Sequence, residues 1–190
     1  MVREKGRKLI AWDDVMDAGF DVSEATITWW RHERPDHITQ ALDSGSKAIL
    51  CPRKPLYLDF VQYDGQDQGR HTWGSDFMAC TLEDIYNFPD KNVSGVEFNS
   101  ARIQNVLGIQ GNLWSETVSK PDRADYMSWP RLCAIAESGW SDPSVKDYKS
   151  FEQRMKWAYD YLDGRGVFYF DTREPSRRPE PPVAKPEDWL

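Results

Sequence analysis

Short apolar runs recur along the chain, separated by polar and amphipathic segments. Four runs rich in β-branched and aromatic residues are LIAW (9–12), ATITWW (25–30), KAILCP (47–52) and NVLGIQGNLW (105–114). We interpret these runs as strands, and because they are apolar without alternation we expect them to be buried on both faces. Pro52 ends the third strand, and LYLDF (56–60) follows after a basic, proline-containing turn as the strand end that carries Tyr57 and Asp59. The alternation with helical segments favours an α/β fold with a parallel sheet.

The segments between and after these strands carry helical spacing. They are HITQALDSGSK (37–47), TLEDIYNF (81–88), ADYMSWPRLCAIAESGW (124–140) and SFEQRMKWAYDYLDGRG (150–166). We expect the first helix to end at Gly45 and the third to run unbroken despite Pro130. The opening VREKGRK is typical of the last turn of a helix, because cations suit a helix C-terminus.

Two regions lack a clear period. Residues 62–80 are rich in Gly, Asp and Gln, which predicts a long loop of the kind used for binding. The segment from Thr172 onward is rich in proline and charge, and we expect it to be loosely held.

Composition narrows the function classes. The formal charge of -7 disfavours nucleic acid as a partner, because no basic stripe is present to neutralise phosphates. Cys51, Cys80 and Cys133 are odd in number and widely spaced, so neither a disulfide framework nor a metal site is predicted. No apolar run reaches the about 18 residues that span a membrane. The N-terminal apolar run is too short for a signal peptide, and the sequence does not indicate a compartment.

Each predicted strand ends in an aromatic residue followed by a charged one. The pairs are Trp12 with Asp13, Trp30 with Arg31, Tyr57 with Asp59, and Trp114 with Glu116. Core packing explains any one of these aromatics, but the carboxyl ends of parallel strands meet at one rim. Carboxylates accept hydrogen bonds from vicinal hydroxyls, and indoles cover the C–H faces of a pyranose. The repetition therefore predicts a sugar as the ligand.

The same motifs carry a family resemblance. IAWDD, ITWWR, YLDF and GIQGNLWSE, at these separations, resemble the C-terminal half of the catalytic barrel of β-N-acetylhexosaminidases, glycoside hydrolase family 20. The resemblance runs from about Val2 to about Tyr169, and QGNLWSE is its most specific part. It implies an α/β fold comprising about strands 5 to 8 of a TIM (β/α)8 barrel over residues 1–170. Residues 171–190 would form a proline-rich C-terminal tail.

The resemblance also implies roles for individual side chains. Trp12, Trp30 and Trp114 would wall the pocket for the terminal N-acetylhexosamine. Tyr57 would donate to the acetamido carbonyl, as the one catalytic residue of this chain. Asp59 would contact the 6-hydroxyl of the sugar, Glu116 its 4-hydroxyl, and Trp73 the next sugar. The nucleophile would be the substrate's own acetamido oxygen, with neither a cofactor nor a metal.

The general acid of the family is missing from this sequence. That acid belongs to an Asp-Glu pair in a His-x-Gly-Gly-Asp-Glu motif, which the chain lacks. We interpret Asp13 and Asp14 as the acidic start of a brief helix through Met16, not as a substitute pair. The isolated chain is therefore predicted to be inactive. Its expected partners are a glycan, a missing N-terminal half-barrel and further copies of itself, with no membrane.

Two other hypotheses remain open at this point. The first is a non-catalytic sugar-binding or assembly module that keeps the strand-end aromatics but never had the acid. The second is a small α/β enzyme of another chemistry, although the sequence has no nucleophile elbow, phosphate loop or metal motif to support it.

Overall fold

The computed structural model of the protein describes residues 2–66, 79–90 and 95–183. The chain divides into two compact units. Unit 1 comprises residues 1–54 with 88–110, and unit 2 comprises residues 55–87 with 111–190.

A parallel sheet forms the centre of unit 1. Its strands are β1 (Leu9–Trp12), β2 (Ala25–Trp29), β3 (Ala48–Leu50) and β4 (Val106–Ile109), which lie side by side in chain order. Every neighbouring pair is parallel. The predicted α/β fold with a parallel sheet is therefore confirmed.

Helices account for most of the other regular structure. They are α1 (Pro35–Asp43), α2 (Arg53–Leu56), α3 (Leu82–Asn87), α4 (Ser100–Ile103), α5 (Pro121–Ser128), α6 (Arg131–Trp140) and α7 (Tyr148–Gly164). Single 3-10 turns occupy Arg3–Lys5, Asp13–Met16, Val22–Glu24, Ser115–Thr117, Pro143–Val145 and Pro175–Arg177. The opening residues thus form a 3-10 turn and not the end of an α-helix. Within the described part of the chain, no helix is both long and apolar enough to cross a membrane.

The strands of unit 1 differ in burial. Ile27 and Trp29 on β2 and Leu50 on β3 are fully buried, as the apolar runs predict. Ile10 on β1 and Leu107 on β4 are each 61% exposed. The expectation of burial on both faces is wrong for β1 and β4, the first and last strands of the sheet: partly buried and exposed side chains alternate along β1, and Leu107 is exposed on β4.

Helix α1 covers the sheet of unit 1. Pro35 begins α1. Proline is tolerated in the first turn of a helix because the N–H groups there have no acceptor within the helix. Ala41 packs in a buried cluster with Val22 and Ile27 of β2. The helix ends before Gly45, whose φ of +83° suits glycine and confirms the predicted stop.

Proline decides two elements differently from the prediction. The expected helix over residues 124–140 is two helices, α5 and α6, because Pro130 lacks an N–H and forces Trp129 into an extended conformation. LYLDF does not form a strand: Tyr57 makes only an isolated parallel bridge to Asn112. The third strand ends at Leu50, just before Pro52 as predicted; Pro52 precedes α2 and Pro55 lies within it, and neither has an N–H to donate to a ladder.

Helices and the C-terminal segment build unit 2. Helix α6 is joined to α3 by Ser138, whose hydroxyl donates to the carbonyl of Tyr86 at 2.7 Å. The ring of Tyr86 stacks on Phe151 of α7 with centroids 4.8 Å apart. A second apolar cluster contains Tyr126, Met127 and Phe170.

The C-terminal segment is held more firmly than its composition predicts. Asp171 accepts from Arg173 and Arg177, and these bonds hold the pKa of the carboxyl well below its usual range although burial alone would raise it. The Arg173 guanidinium lies 4.1 Å from the ring centroid of Tyr159. The expectation of a loose tail is wrong for residues 172–183, because arginine side chains fasten this segment to α7 and the residues that follow it.

The exposed side chains of the end strands predict self-association of the 190-residue chain when it is expressed alone. Open strand edges and exposed apolar side chains favour pairing with another chain. Sedimentation velocity should show dimers or larger species, and Ile10→Lys combined with Leu107→Lys should increase the monomer fraction. Val145, an apolar residue of similar exposure on a 3-10 turn of unit 2, provides the control, and Val145→Lys should change nothing. A monodisperse monomer of the unsubstituted chain would contradict this expectation.

Candidate active site

The residues predicted to bind a ligand fall into both units. Trp12 and Trp30 belong to unit 1, whereas Tyr57, Asp59, Trp114 and Glu116 belong to unit 2. Trp73 lies outside the described residues.

Two acidic residues after β1 hold Trp30 at the end of β2. The backbone N–H of Trp30 donates to Oδ1 of Asp13 at 3.0 Å, and its indole Nε1 donates to Oδ2 of Asp14 at 2.6 Å. The parallel register, in which Trp12 pairs with Thr28, brings these strand ends together. The position and the tilt of the indole are therefore both fixed by hydrogen bonds.

Asp13 begins a short 3-10 turn, and its carboxylate is also buried. Its side chain is fully buried, and its Oδ2 accepts from Nε of Arg31 at 2.9 Å. Nδ1 of His37 lies 3.0 Å from the same oxygen. The turn Asp13–Met16 receives no side-chain cap from Trp12. The predicted brief helix is present as the 3-10 turn Asp13–Met16, which Asp13 and Asp14 begin. Its burial gives Asp13 a further role, because a buried carboxylate requires hydrogen-bonding partners and finds them in the residues after β2 and in α1.

Arginines extend this network towards solvent. Asp17 accepts from Nη1 of Arg31 at 2.6 Å and from Nη1 of Arg34 at 2.8 Å. These two bonds lower the pKa of Asp17 to about 2, so the carboxylate remains charged at neutral pH. The turn that follows Trp30 is therefore held at both its ends.

The indole of Trp30 also lies beside two cations. The guanidinium carbon of Arg53 is 5.4 Å from the ring centroid and that of Arg31 is 5.9 Å from it. Arg53 in turn pairs with Glu33 at 2.9 Å. Sequence reasoning missed Arg53, for which the only signal was its place in the basic, proline-containing turn after the third strand. Trp12, by contrast, is 39% exposed.

In unit 2 the structure brings Tyr57, Asp59 and Trp114 together. The rings of Tyr57 and Trp114 have centroids 6.2 Å apart, and the backbone N–H of Trp114 lies 3.5 Å from Oδ1 of Asp59. Tyr57 and Asp59 are buried, whereas Trp114 is 42% exposed. Glu116 is exposed on the 3-10 turn Ser115–Thr117, two residues beyond Trp114.

Backbone pairing places these residues side by side. The N–H of Leu58 donates to the carbonyl of Asn112 at 2.6 Å, and the N–H of Asn112 donates to that of Leu56 at 3.0 Å. Gly111 permits the close approach to α6, since a Cβ there would clash with the side chain of Ile135. The glycine before NLWSE is therefore required by packing.

The arrangement offers hydrogen-bond acceptors and aromatic faces, the groups that a neutral, hydroxyl-rich ligand needs. Among the described residues, no group of three or more His, Cys, Asp or Glu side chains is arranged to hold a metal ion. Cys133 lies in an apolar setting, where burial raises the pKa of its thiol to about 11. That thiol is unsuited to act as a nucleophile at neutral pH.

Comparison with known proteins gives a consistent family match. The profile described as glycosyl hydrolase family 20, catalytic domain, matches residues 1–143. A beta-hexosaminidase of Porphyromonas gingivalis is 32% identical over 170 residues, which cover 89% of this chain and 21% of that protein. A beta-N-acetylhexosaminidase of Cellulomonas fimi is 26% identical over 167 residues, covering 87% of this chain and 32% of that protein.

Solved structures agree with this match. An exo β-N-acetylglucosaminidase of Vibrio harveyi in complex with N-acetylglucosamine gives a TM-score of 0.70 at 26% identity, covering 90% of this chain and 26% of that one. A mutant Streptomyces plicatus β-hexosaminidase in complex with the product GlcNAc gives 0.74 at 26% identity, covering 96% and 35%. The chain thus spans about a fifth to a third of the length of these relatives.

The two acids after β1 should differ in their contribution to stability. Asp13→Ala should lower the free energy of unfolding by about 3 kcal/mol, because it leaves Arg31 and His37 without their buried acceptor. Asp14→Ala should have a smaller effect, since Asp14 is exposed, but should shift the indole N–H resonance of Trp30. Urea denaturation and NMR spectroscopy measure the two effects. As a control, Asp36→Ala removes an exposed ion pair to Arg34 and should change stability little; equal losses for all three variants would contradict the assignment.

Proposed function

Because the chain belongs to glycosyl hydrolase family 20, we propose that it forms the sugar-binding part of an enzyme that removes terminal non-reducing N-acetylhexosamine residues from glycans. The observation that carries this proposal is the packing of Tyr57, Asp59 and Trp114 against one another in unit 2. An acetamido sugar with free hydroxyls can bind a carboxylate acceptor, a phenol donor and an indole face, and these three residues supply those groups side by side.

Each side chain of unit 2 has a separate task in this proposal. The phenol of Tyr57 donates to the acetamido carbonyl and holds that oxygen against the anomeric carbon. Asp59 accepts from the 6-hydroxyl and Glu116 from the 4-hydroxyl. The partly exposed ring of Trp114 covers a C–H face of the sugar.

In unit 1, Trp12 and Trp30 are proposed to lie near the acetamido group. The hydrogen bonds from Trp30 to Asp13 and Asp14 support this role, because they fix the indole before a ligand arrives. Trp73, outside the described residues, is proposed to stack on the sugar that follows.

The proposed reaction is substrate-assisted and retains the anomeric configuration. A protonated glutamic acid gives its proton to the leaving glycosidic oxygen, while the acetamido oxygen attacks the anomeric carbon and forms an oxazolinium ion. Water then opens this ion, and the deprotonated glutamate takes a proton back. Tyr57 increases the rate by presetting the geometry of the internal attack.

The acid pair is proposed to lie outside these 190 residues, since the sequence contains no His-x-Gly-Gly-Asp-Glu motif. Asp13 and Asp14 already serve as acceptors for Trp30 and Arg31, which favours a supporting role for them. We further propose that β1 to β4 correspond to strands 5 to 8 of an eight-stranded barrel, whose N-terminal half supplies the acid. The alternative is a non-catalytic sugar-binding or assembly module of the same fold.

The chain alone should not hydrolyse a chromogenic N-acetylglucosaminide, whereas the chain joined to a matching N-terminal half should do so.

In the completed enzyme, Glu116→Gln should lower kcat/KM by about tenfold to hundredfold, because the carboxylate of Glu116 is proposed to accept from the 4-hydroxyl. Glu152→Gln, an exposed glutamate of α7, is the matched control. Assays of both the gluco and galacto epimers report on the 4-hydroxyl contact. Unchanged activity of Glu116→Gln would remove Glu116 from the site, and an inactive completed enzyme that binds sugar would favour the alternative.

Asp14→Asn tests the location of the acid. The asparagine keeps an oxygen that can accept from the indole of Trp30, so the completed enzyme should lose less than about tenfold in kcat. Steady-state kcat values of the completed enzyme with and without Asp14→Asn measure this loss. Turnover by the chain alone that Asp14→Asn abolishes would show that the acid lies in this chain.

A further inference from the structure

A buried arginine at the start of α6 holds the backbone around Asp59. Arg131 is fully buried, and its hydrogen bonds go to carbonyl oxygens. Nη1 donates to the carbonyls of Phe60 at 2.9 Å and Cys80 at 3.1 Å, and Nη2 donates to those of Leu58 and Met127. A planar guanidinium with a fixed fork of donors can hold four carbonyls at once, which a lysine cannot do.

Two of the carbonyls that accept from Arg131 belong to residues next to Asp59. These residues are Leu58 and Phe60, so Arg131 forms hydrogen bonds with the backbone on both sides of Asp59. Rotation of either peptide group would break a buried hydrogen bond, which is costly. Tyr57, one residue earlier, is constrained by the same contact and by its bridge to Asn112.

The charge of Arg131 also links this residue to Asp59. Burial lowers the pKa of Arg131 to about 10, and electrostatic interactions with Cys80 and Asp59 oppose this decrease. The guanidinium therefore remains a cation at neutral pH. The electrostatic interaction between Arg131 and buried Asp59 is therefore a second link between these two side chains.

We propose that Arg131 is a positioning residue that fixes Asp59 and Tyr57 in the geometry in which they receive the sugar. It does not touch the substrate itself and acts through the YLDF backbone. This inference rests on the proposed function for its kinetic consequences, but its structural consequence can be measured without any substrate.

Arg123 provides a matched control within the same unit. It too is fully buried, and its Nη1 donates to Oε1 of Glu180 at 3.1 Å and to the carbonyl of Pro181 at 2.7 Å. Replacing it removes an equally buried guanidinium whose partners lie in the C-terminal segment. A general loss of stability therefore affects both arginine variants, whereas a local effect at Asp59 should distinguish them.

The first experiment is amide hydrogen exchange on the full 190-residue chain. Arg131→Lys should speed exchange in peptides covering residues 57–61 by about tenfold or more, corresponding to loss of about 1.4 kcal/mol of local protection. Arg123→Lys should leave these peptides unchanged and should affect those covering residues 178–183. Should Arg131→Lys prevent folding, Arg131→Gln, which keeps a planar donor, takes its place. Equal exchange at residues 57–61 in both arginine variants would overturn the inference.

The second experiment uses the completed enzyme and two substrates, one with and one without the sugar's 6-hydroxyl. Arg131→Lys should lower kcat/KM by about tenfold to hundredfold for the first substrate. The loss should be smaller for the second substrate, because there only the contact made by Tyr57 can be disturbed. The ratio of kcat/KM between the two substrates should fall in Arg131→Lys as it does in Asp59→Asn. The variant that carries both substitutions should lose little more kcat/KM than either single variant. Arg123→Lys should retain the preference.

The outcomes separate the two proposals. A completed enzyme that hydrolyses no N-acetylhexosaminide refutes the proposed function, while faster exchange at residues 57–61 in Arg131→Lys still supports the positioning role. An active enzyme whose 6-hydroxyl preference survives Arg131→Lys, or in which the losses from Arg131→Lys and Asp59→Asn simply add, refutes the positioning role and leaves the proposed function standing.

Discussion

The need to satisfy buried charge with hydrogen bonds underlies the geometry of both units. In unit 1 the carboxylate of Asp13 is fully buried and is met by the backbone N–H of Trp30 and by Arg31. In unit 2 the guanidinium of Arg131 is fully buried and is met by backbone carbonyls on both sides of Asp59. Because an unpaired buried charge is very unfavourable, each of these groups fixes the backbone that carries a candidate ligand-binding side chain.

The aromatic residues of the candidate site divide into supported and exposed ones. Trp30 is held by hydrogen bonds at its backbone and its indole, and Tyr57 is buried beside Trp114. Trp12 and Trp114 keep about two fifths of their surface exposed. Each unit thus contains one supported and one exposed aromatic residue. Under the proposed function the supported residue is preorganised for a ligand, and preorganised contacts reduce the entropy lost on binding.

Proline and arginine account for most of the differences between the expected and the observed fold. The four strands were predictable from uninterrupted apolar runs, and so was the α1 stop at Gly45. The break at Pro130 follows from a missing N–H donor, which hydrophobic periodicity does not register. The ordered C-terminal segment depends on Asp171 and its partners Arg173 and Arg177, and hydrophobic periodicity does not register these charge pairs either.

The sequence by itself determined the α/β class, the parallel order of strands and the positions of the strand-end aromatics, because these depend on local hydrophobicity and on short motifs such as QGNLWSE. It could also identify Tyr57, Asp59 and Trp114 as candidates, and the structure brings these three together. Only the tertiary structure assigned Asp13, Arg53 and Arg131 to their partners. Their roles depend on burial and on which backbone groups lie within hydrogen-bonding distance, and those partners are separated along the chain by up to 73 residues.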